Sequence, residues 1–387
     1  MRALLTPAIV AASLLLGACA TPSPPRPEAP RALFADDLFD APVEPVEARD
    51  IFALSDAMRR YAHVELATLI RRHGPQGALI EALYRNGHLK LEYESTVTRN
   101  AAQAFQARSG NCLSLVILTA AFARELGLKV RYQSAYLEES WSRKGNLLLK
   151  SGHVNITLGK RIADHGINPF QHDVTIDFLP PEELRDLRTI EISESLVVAM
   201  FMNNRAVESL VQGRLGDAYA WAREAVRADA SFLAAQNTLG VVYLRRGALD
   251  QAGTVFNHVL ALDPEHTRAL ANMAEVASRE GRAQDAAQWR ARLARLEPEP
   301  PLHYFNLGLA AIQREDFRAA RELLAKEAAR GDTLAEVHFW LGVAHYRLGD
   351  IERATKELSL AAEASASRSE RDLYSAKLDW LRTRQAH

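Results

Sequence analysis

Ala206, Gly240, Ala274, Gly308 and Gly342 stand 34 residues apart, and this spacing is the strongest limit on what the 387-residue chain can fold into. Seven residues on, the same register holds Gly213, Gly247, Gly281, Glu315 and Gly349. Five further on it holds Ala218, Ala252, Ala286, Ala320 and Ala354, while Pro264 and Pro298 fall between units. Small residues at two fixed positions let the helices of a hairpin approach closely, and a helix breaker ends each unit. A period of this length implies stacked helical hairpins, each burying its apolar face on its neighbours. The C-terminal half, about 199–368, is therefore expected to be an all-α solenoid, with 369–387 as a capping helix.

These columns, together with the repeated dipeptides Leu239-Gly240, Leu307-Gly308 and Leu341-Gly342, closely resemble the tetratricopeptide repeat in five copies. The resemblance implies a concave groove lined by the first helix of each hairpin, and hence a peptide or protein partner. Positions matching the family's contact sites are Asn203, Asn237, Phe305, Phe339, Tyr346 and Arg347. They lack the Lys/Asn clamp that would mark recognition of a C-terminal carboxylate. An array that merely braces the first domain is the plainer reading of the same residues.

The chain begins with Met1-Arg2, an apolar run from Ala3 to Gly17, and Ala18-Cys19. A basic start, an apolar stretch and small residues at the end describe an export signal rather than a membrane span. Leu16-Gly17-Ala18-Cys19 resembles a bacterial lipobox, which implies cleavage of residues 1–18, a lipid anchor on Cys19, and a membrane-attached protein. Ala20 in place of aspartate implies delivery to the outer membrane. An ordinary secretory signal ending in Cys is the simpler alternative. Residues 19–49 carry seven prolines and read as a semi-rigid tether that cannot pack, at most ~90 Å long. Forty-seven basic against forty-eight acidic residues leave a net charge of -1, which argues against a nucleic-acid partner. With Cys19 acylated, Cys112 is the one thiol left of two, a residue to flag as reactive in an exported protein.

Between about 50 and 198 the pattern changes. Helical periodicity covers 55–72, 76–86 and 98–107. Ser109-Gly110-Asn111 then breaks the chain before a helix over 112–126 that is apolar around nearly its whole circumference, and so buried. Strand-like segments follow at 130–137, 153–158 and 174–178, making an α+β arrangement. Asn111 is a good N-cap and places Cys112 in the first helical turn, where unpaired backbone N–H groups and the helix dipole favour a thiolate. A small hydrophobe on a buried helix would look the same. In Ser151-Gly152-His153-Val154-Asn155-Ile156-Thr157-Leu158, alternation puts His153, Asn155 and Thr157 on one face of a half-buried strand. Asp177 ends an apolar strand; Asp164, His165, His172 and Asp173 compete with it. That cluster has no ligand spacing for a metal, and no cofactor is expected.

Cysteine at a helix start, histidine on one strand and aspartate on the next resembles the transglutaminase-like superfamily of cysteine enzymes, whose domain is papain-like. Thr96 to Phe105 and Arg108-Ser109-Gly110-Asn111-Cys112-Leu113-Ser114 look like its bacterial branch, often joined to tetratricopeptide repeats. The resemblance, over about 55–185, implies Cys112 as nucleophile, His153 as general base and Asp177 as the group orienting the imidazole. It implies action on a peptide or protein amide through a thioester. Water attacking that thioester makes a peptidase or amidase, and a Lys amine makes an acyl transferase. Leu113 stands where the animal enzymes place an aromatic, and no calcium-binding loop is evident. A non-catalytic envelope scaffold is the reading from another function class.

Overall fold

The computed structural model describes residues 30–43, 45–84, 89, 91–94, 97–144, 147–161, 172–178, 188–330, 334–365 and 368–385. The export signal, Cys19, Asp164 and His165 lie outside them. None of the described helices is long and apolar enough to cross a membrane.

The N-terminal domain starts with α1 (Asp56–Arg60), which continues as a wide π turn over Tyr61–Glu65 into α2 (Ala67–Tyr84). Gly74-Pro75 breaks α2, Gly74 taking φ 70°. The short strand β1 (Glu92–Tyr93) runs parallel to β2 (Ser109–Gly110), with α3 (Ala101–Ala107) between them. Helix α4 (Cys112–Glu125) follows, capped by Asn111, whose Oδ1 accepts from the Ser114 N–H at 2.9 Å. Leu113 to Ala123 are all buried, as an all-round apolar helix requires. The interlocked rings of Tyr61, Phe105 and Phe122 lie beside it, with centroids 5.6–5.7 Å apart.

The sheet is antiparallel, in the order β5-β4-β3-β6, from β3 (Leu128–Lys144), β4 (Leu147–Arg161), β5 (Val174–Ile176) and β6 (Arg188–Ile192). The edge strand β6 was not expected from the sequence, and β3 and β4 are longer than anticipated. The expectation of a half-buried β4 is corrected: Val154, Ile156 and Leu158 are buried, but so are His153, Asn155 and Thr157. Helix α4 packs on β3 and β4.

Five helical hairpins follow, α5 (Glu194–Val211) with α6 (Leu215–Ala228), α7 (Leu233–Arg246) with α8 (Leu249–Leu262), α9 (Thr267–Arg279) with α10 (Ala283–Leu296), α11 (His303–Gln313) with α12 (Phe317–Ala328), and α13 (Ala335–Arg347) with α14 (Ile351–Glu363). Helix α15 (Arg368–Gln385) closes the stack. The small-residue column is explained by contact: a Cβ on Gly308 would sit 2.7 Å from Leu324 Cγ, and one on Gly342 would sit 3.2 Å from Leu358 Cγ. The second column marks the turn between paired helices. Gly213, Gly247, Gly281 and Gly349 have φ of 74–85°, and Glu315 is forced to 59°.

Two expectations are corrected here. The proline-rich stretch does pack, over residues 30–43. Leu33 is buried, Phe39 stacks on Tyr219 at 4.2 Å, and Asp36 accepts from Tyr219 Oη and Arg223 at 2.7 Å each. Tyr243 Oη accepts from the Ala35 N–H at 2.8 Å and donates to the Leu33 carbonyl at 3.0 Å. Its aromatic and carboxylate side chains thus outweigh its prolines. The second correction concerns the boundary at 198/199, which falls inside α5. One apolar core runs unbroken from Leu33 through the N-terminal domain to Val276 of the third hairpin, and a separate one spans Leu302 to Ala344.

Candidate active site

Three elements converge at the start of α4. Cys112 is the first residue of the helix and remains partly accessible, whereas the eleven residues after it are buried. Its position is fixed by what surrounds Asn111. The Asn111 side chain donates from Nδ2 to Thr98 Oγ1 at 2.9 Å and accepts at Oδ1 from both the Ser114 N–H and its hydroxyl. Ser114 Oγ also accepts from the Arg99 N–H at 2.8 Å. Gly110 packs so tightly here that a Cβ would lie 2.6 Å from that of Ser114. The Gly-Asn-Cys sequence is therefore a steric and hydrogen-bonding unit: no side chain fits at 110, and a capping amide is needed at 111.

His153 comes from β4 and is only 2 % exposed. Its Nε2 lies 2.7 Å from Asp177 Oδ1 and 2.8 Å from Oδ2, just past the end of β5. The Cys112 side chain is the imidazole's other partner, acting on it through a hydrogen bond and through charge. Burial pushes the His153 pKa down. Hydrogen bonds to Asp177 and Cys112, and then the charges on both, outweigh it and hold the imidazole up at about 9. The structure thus brings Cys112, His153 and Asp177 together. Of the competitors, Asp173 is paired with Arg131 at 2.5 Å, and His172 contributes its backbone carbonyl to Gln76.

Asn155 is a site residue that the sequence reading placed beside His153 without a role. It is 3 % exposed and donates from Nδ2 to Asp177 Oδ2 at 3.3 Å, so the carboxylate is held by two β4 residues of the same face. Tyr84 Oη donates to the Asp177 backbone carbonyl at 2.6 Å, fixing the turn that carries it. The period-two alternation of β4 was the available signal for Asn155; nothing local marked Tyr84, which arrives from α2.

The repeat positions divide. Asn203 on α5 is half-buried. Asn237 accepts from Asn272 Nδ2 at 3.0 Å and lines an open cavity of about 470 Å³ between α7 and α9, beside Arg245 and Glu275. Phe305 is fully buried and is corrected to a core residue. Phe339 stacks on Tyr374 and Tyr346 packs edge-on to Trp380, both on α15, so these two are corrected to capping contacts. Arg347 is exposed, its guanidinium 4.3 Å over the Phe317 ring. The closing helix takes the groove positions of the last repeat for itself.

Fold and site define a class: a cysteine–histidine–carboxylate domain of α+β build, followed by a stack of helical hairpins. A model of the transglutaminase-like superfamily matches residues 68–166, and a tetratricopeptide-repeat model matches 335–355. The chain carries a transglutaminase-like domain and a tetratricopeptide-repeat region. Cys112 and His153 fall inside the matched stretch, and Asp177 lies beyond it. Solved structures similar to part of the chain include TTC0263, a thermophilic tetratricopeptide-repeat protein of Thermus thermophilus, at 17% identity over 46% of this chain and 98% of that one, TM-score 0.31. MamA 41-end from Desulfovibrio magneticus RS-1 is similar at 22% identity over 46% of this chain and 98% of that one, TM-score 0.26. Comparison with curated proteins gave no match.

Proposed function

We propose that this chain is an envelope lipoprotein whose N-terminal domain cleaves or transfers peptide or protein amides through a thioester on Cys112. In this reading Cys19 carries the lipid, the protein faces the periplasm from the outer membrane, and the repeats hold a protein partner or substrate. The observation that carries the catalytic part is the junction of Cys112, His153 and Asp177. With the His153 imidazole holding the thiol proton, the thiolate attacks the amide carbon and the C–S bond forms. The Cys112 backbone N–H, in the first turn of α4, is a donor for the resulting oxyanion. Collapse breaks the C–N bond as the imidazolium passes its proton to the leaving amine. Water or a Lys amine then attacks the thioester, His153 taking the nucleophile's proton and returning it to the departing sulfur. Asp177, steadied by Asn155, keeps the ring turned to sulfur throughout.

The test is mass spectrometry of purified protein incubated with peptides and envelope extracts. A thioester adduct on Cys112, or amide products lost in Cys112→Ala, supports the reading. A folded wild-type protein that yields neither adduct nor product, and whose thiol labels no faster than when buried, argues for a scaffold. Anchoring is tested separately: Cys19→Ser should release the protein from the membrane fraction or leave it unprocessed, and unchanged fractionation would refute the lipid anchor.

A further inference from the structure

Helix α5 belongs to the first repeat, yet one of its side chains reaches the support of Cys112. Glu208 Oε1 accepts from the Thr98 N–H at 2.7 Å. Its other oxygen is held by Arg205 Nη1 at 2.8 Å, and that guanidinium lies over the Trp221 ring of α6 at 5.7 Å. Thr98 is 2 % exposed, and its Oγ1 accepts from Asn111 Nδ2. A chain of contacts therefore runs from Trp221 and Arg205 in the first repeat, through Glu208 and Thr98, to the amide that caps α4 one residue before Cys112. We infer that Glu208 is a positioning residue for the nucleophile, so that the first repeat completes the active site rather than merely following it. The inference rests on the reading of Cys112 as a nucleophile.

The physical grounds are these. Thr98 N–H is a buried donor, and removing its acceptor leaves it unpaired unless the 97–99 segment moves. That segment also supplies the Arg99 N–H to Ser114 Oγ, so a shift there disturbs both supports of the first turn of α4. Without Thr98 Oγ1, Asn111 Nδ2 loses its acceptor and the capping amide is held through Oδ1 alone. A cap held at one end shifts more readily, and the first-turn N–H groups around the sulfur shift with it. The carboxylate also lies outside residues 50–198, so a piece cut at the expected boundary would lack it.

Alkylation of Cys112 by iodoacetamide in the full chain, followed across pH, reads this out. Glu208→Ala should slow labelling near neutral pH by roughly tenfold, the size of one orphaned buried donor, and displace the pH profile upward. Glu208→Gln, which keeps an acceptor for Thr98, should restore most of the wild-type rate. Thr98→Val breaks the link at its other end without touching α5 and should resemble Glu208→Ala. Wild-type rate and profile in either folded variant, Glu208→Ala or Thr98→Val, overturns the inference; so does loss of the fold in both, which would make the link purely structural. Slow labelling of the wild-type protein itself would count against the nucleophile, and the inference falls with it.

Discussion

Burial alone would strip the proton from His153, yet the hydrogen bonds to Asp177 and Cys112 hold it to about pH 9. A histidine raised above its ordinary 6.5 contributes stability that is complete below that value and is lost as the pH climbs through about 9. Over that range an imidazolium stands beside the Cys112 side chain. If His153 activates Cys112 as proposed, labelling of Cys112 between pH 6 and 8 should change far less than the rise on the order of a hundredfold that an ordinary thiol shows. His153→Ala should bring the steep rise back, and Asp177→Ala should do so in part; a steep profile in the wild-type protein refutes the activation of Cys112 by His153. It was the resemblance to the transglutaminase-like superfamily that grouped these three residues, but each was legible in a recognisable local setting: a capped helix start, a strand face, a strand end. Asn155 and Gly110 were not, because their roles are set by atoms that arrive from elsewhere in the fold, the Asp177 carboxylate and the Ser114 side chain.

At the scale of the element, the turn column shows what a repeat demands of one residue. Four glycines and Glu315 occupy the same left-handed turn, and only the glutamate has a Cβ to accommodate there. Its side chain is mostly exposed, with Arg347 at 3.9 Å, a surface pair of little worth. Glu315→Gly should therefore stabilise the fourth and fifth hairpins by about 1 kcal/mol. The measurement is the urea midpoint of the segment holding the separate Leu302–Ala344 core; a lower midpoint would mean that the side chain makes a contact worth more than the strain. The hairpins themselves were legible because 34-residue columns report close packing directly. Strand β6 was missed, since five residues pairing with distant Tyr132 to Tyr136 leave no local period to read.

The molecule as a whole departs from an unpacked tether followed by two separate domains. The segment 30–43 lies on α6, α7 and α8, and its apolar residues join the core that continues through the N-terminal domain. Composition misled here: prolines signal extension, but extension is also how a strap lies along helices, and its Leu33, Asp36 and Phe39 each meet a partner. Tyr243 is the place to test this, because it is fully buried and its hydroxyl serves the strap at two backbone groups. Tyr243→Phe keeps the ring and removes the hydroxyl. The Ala35 N–H retains Tyr219 Oη at 3.1 Å, while the Leu33 carbonyl loses the donor it had. The expected cost is about 1–3 kcal/mol, the desolvation penalty of a buried group left unmet. Because the strap, the N-terminal domain and the first three hairpins share one core, the loss should lower the midpoint of a single cooperative transition and speed protease cleavage around residues 43–50. Faster cleavage there with an unchanged midpoint would instead show that the strap docks independently and contributes nothing to the common core.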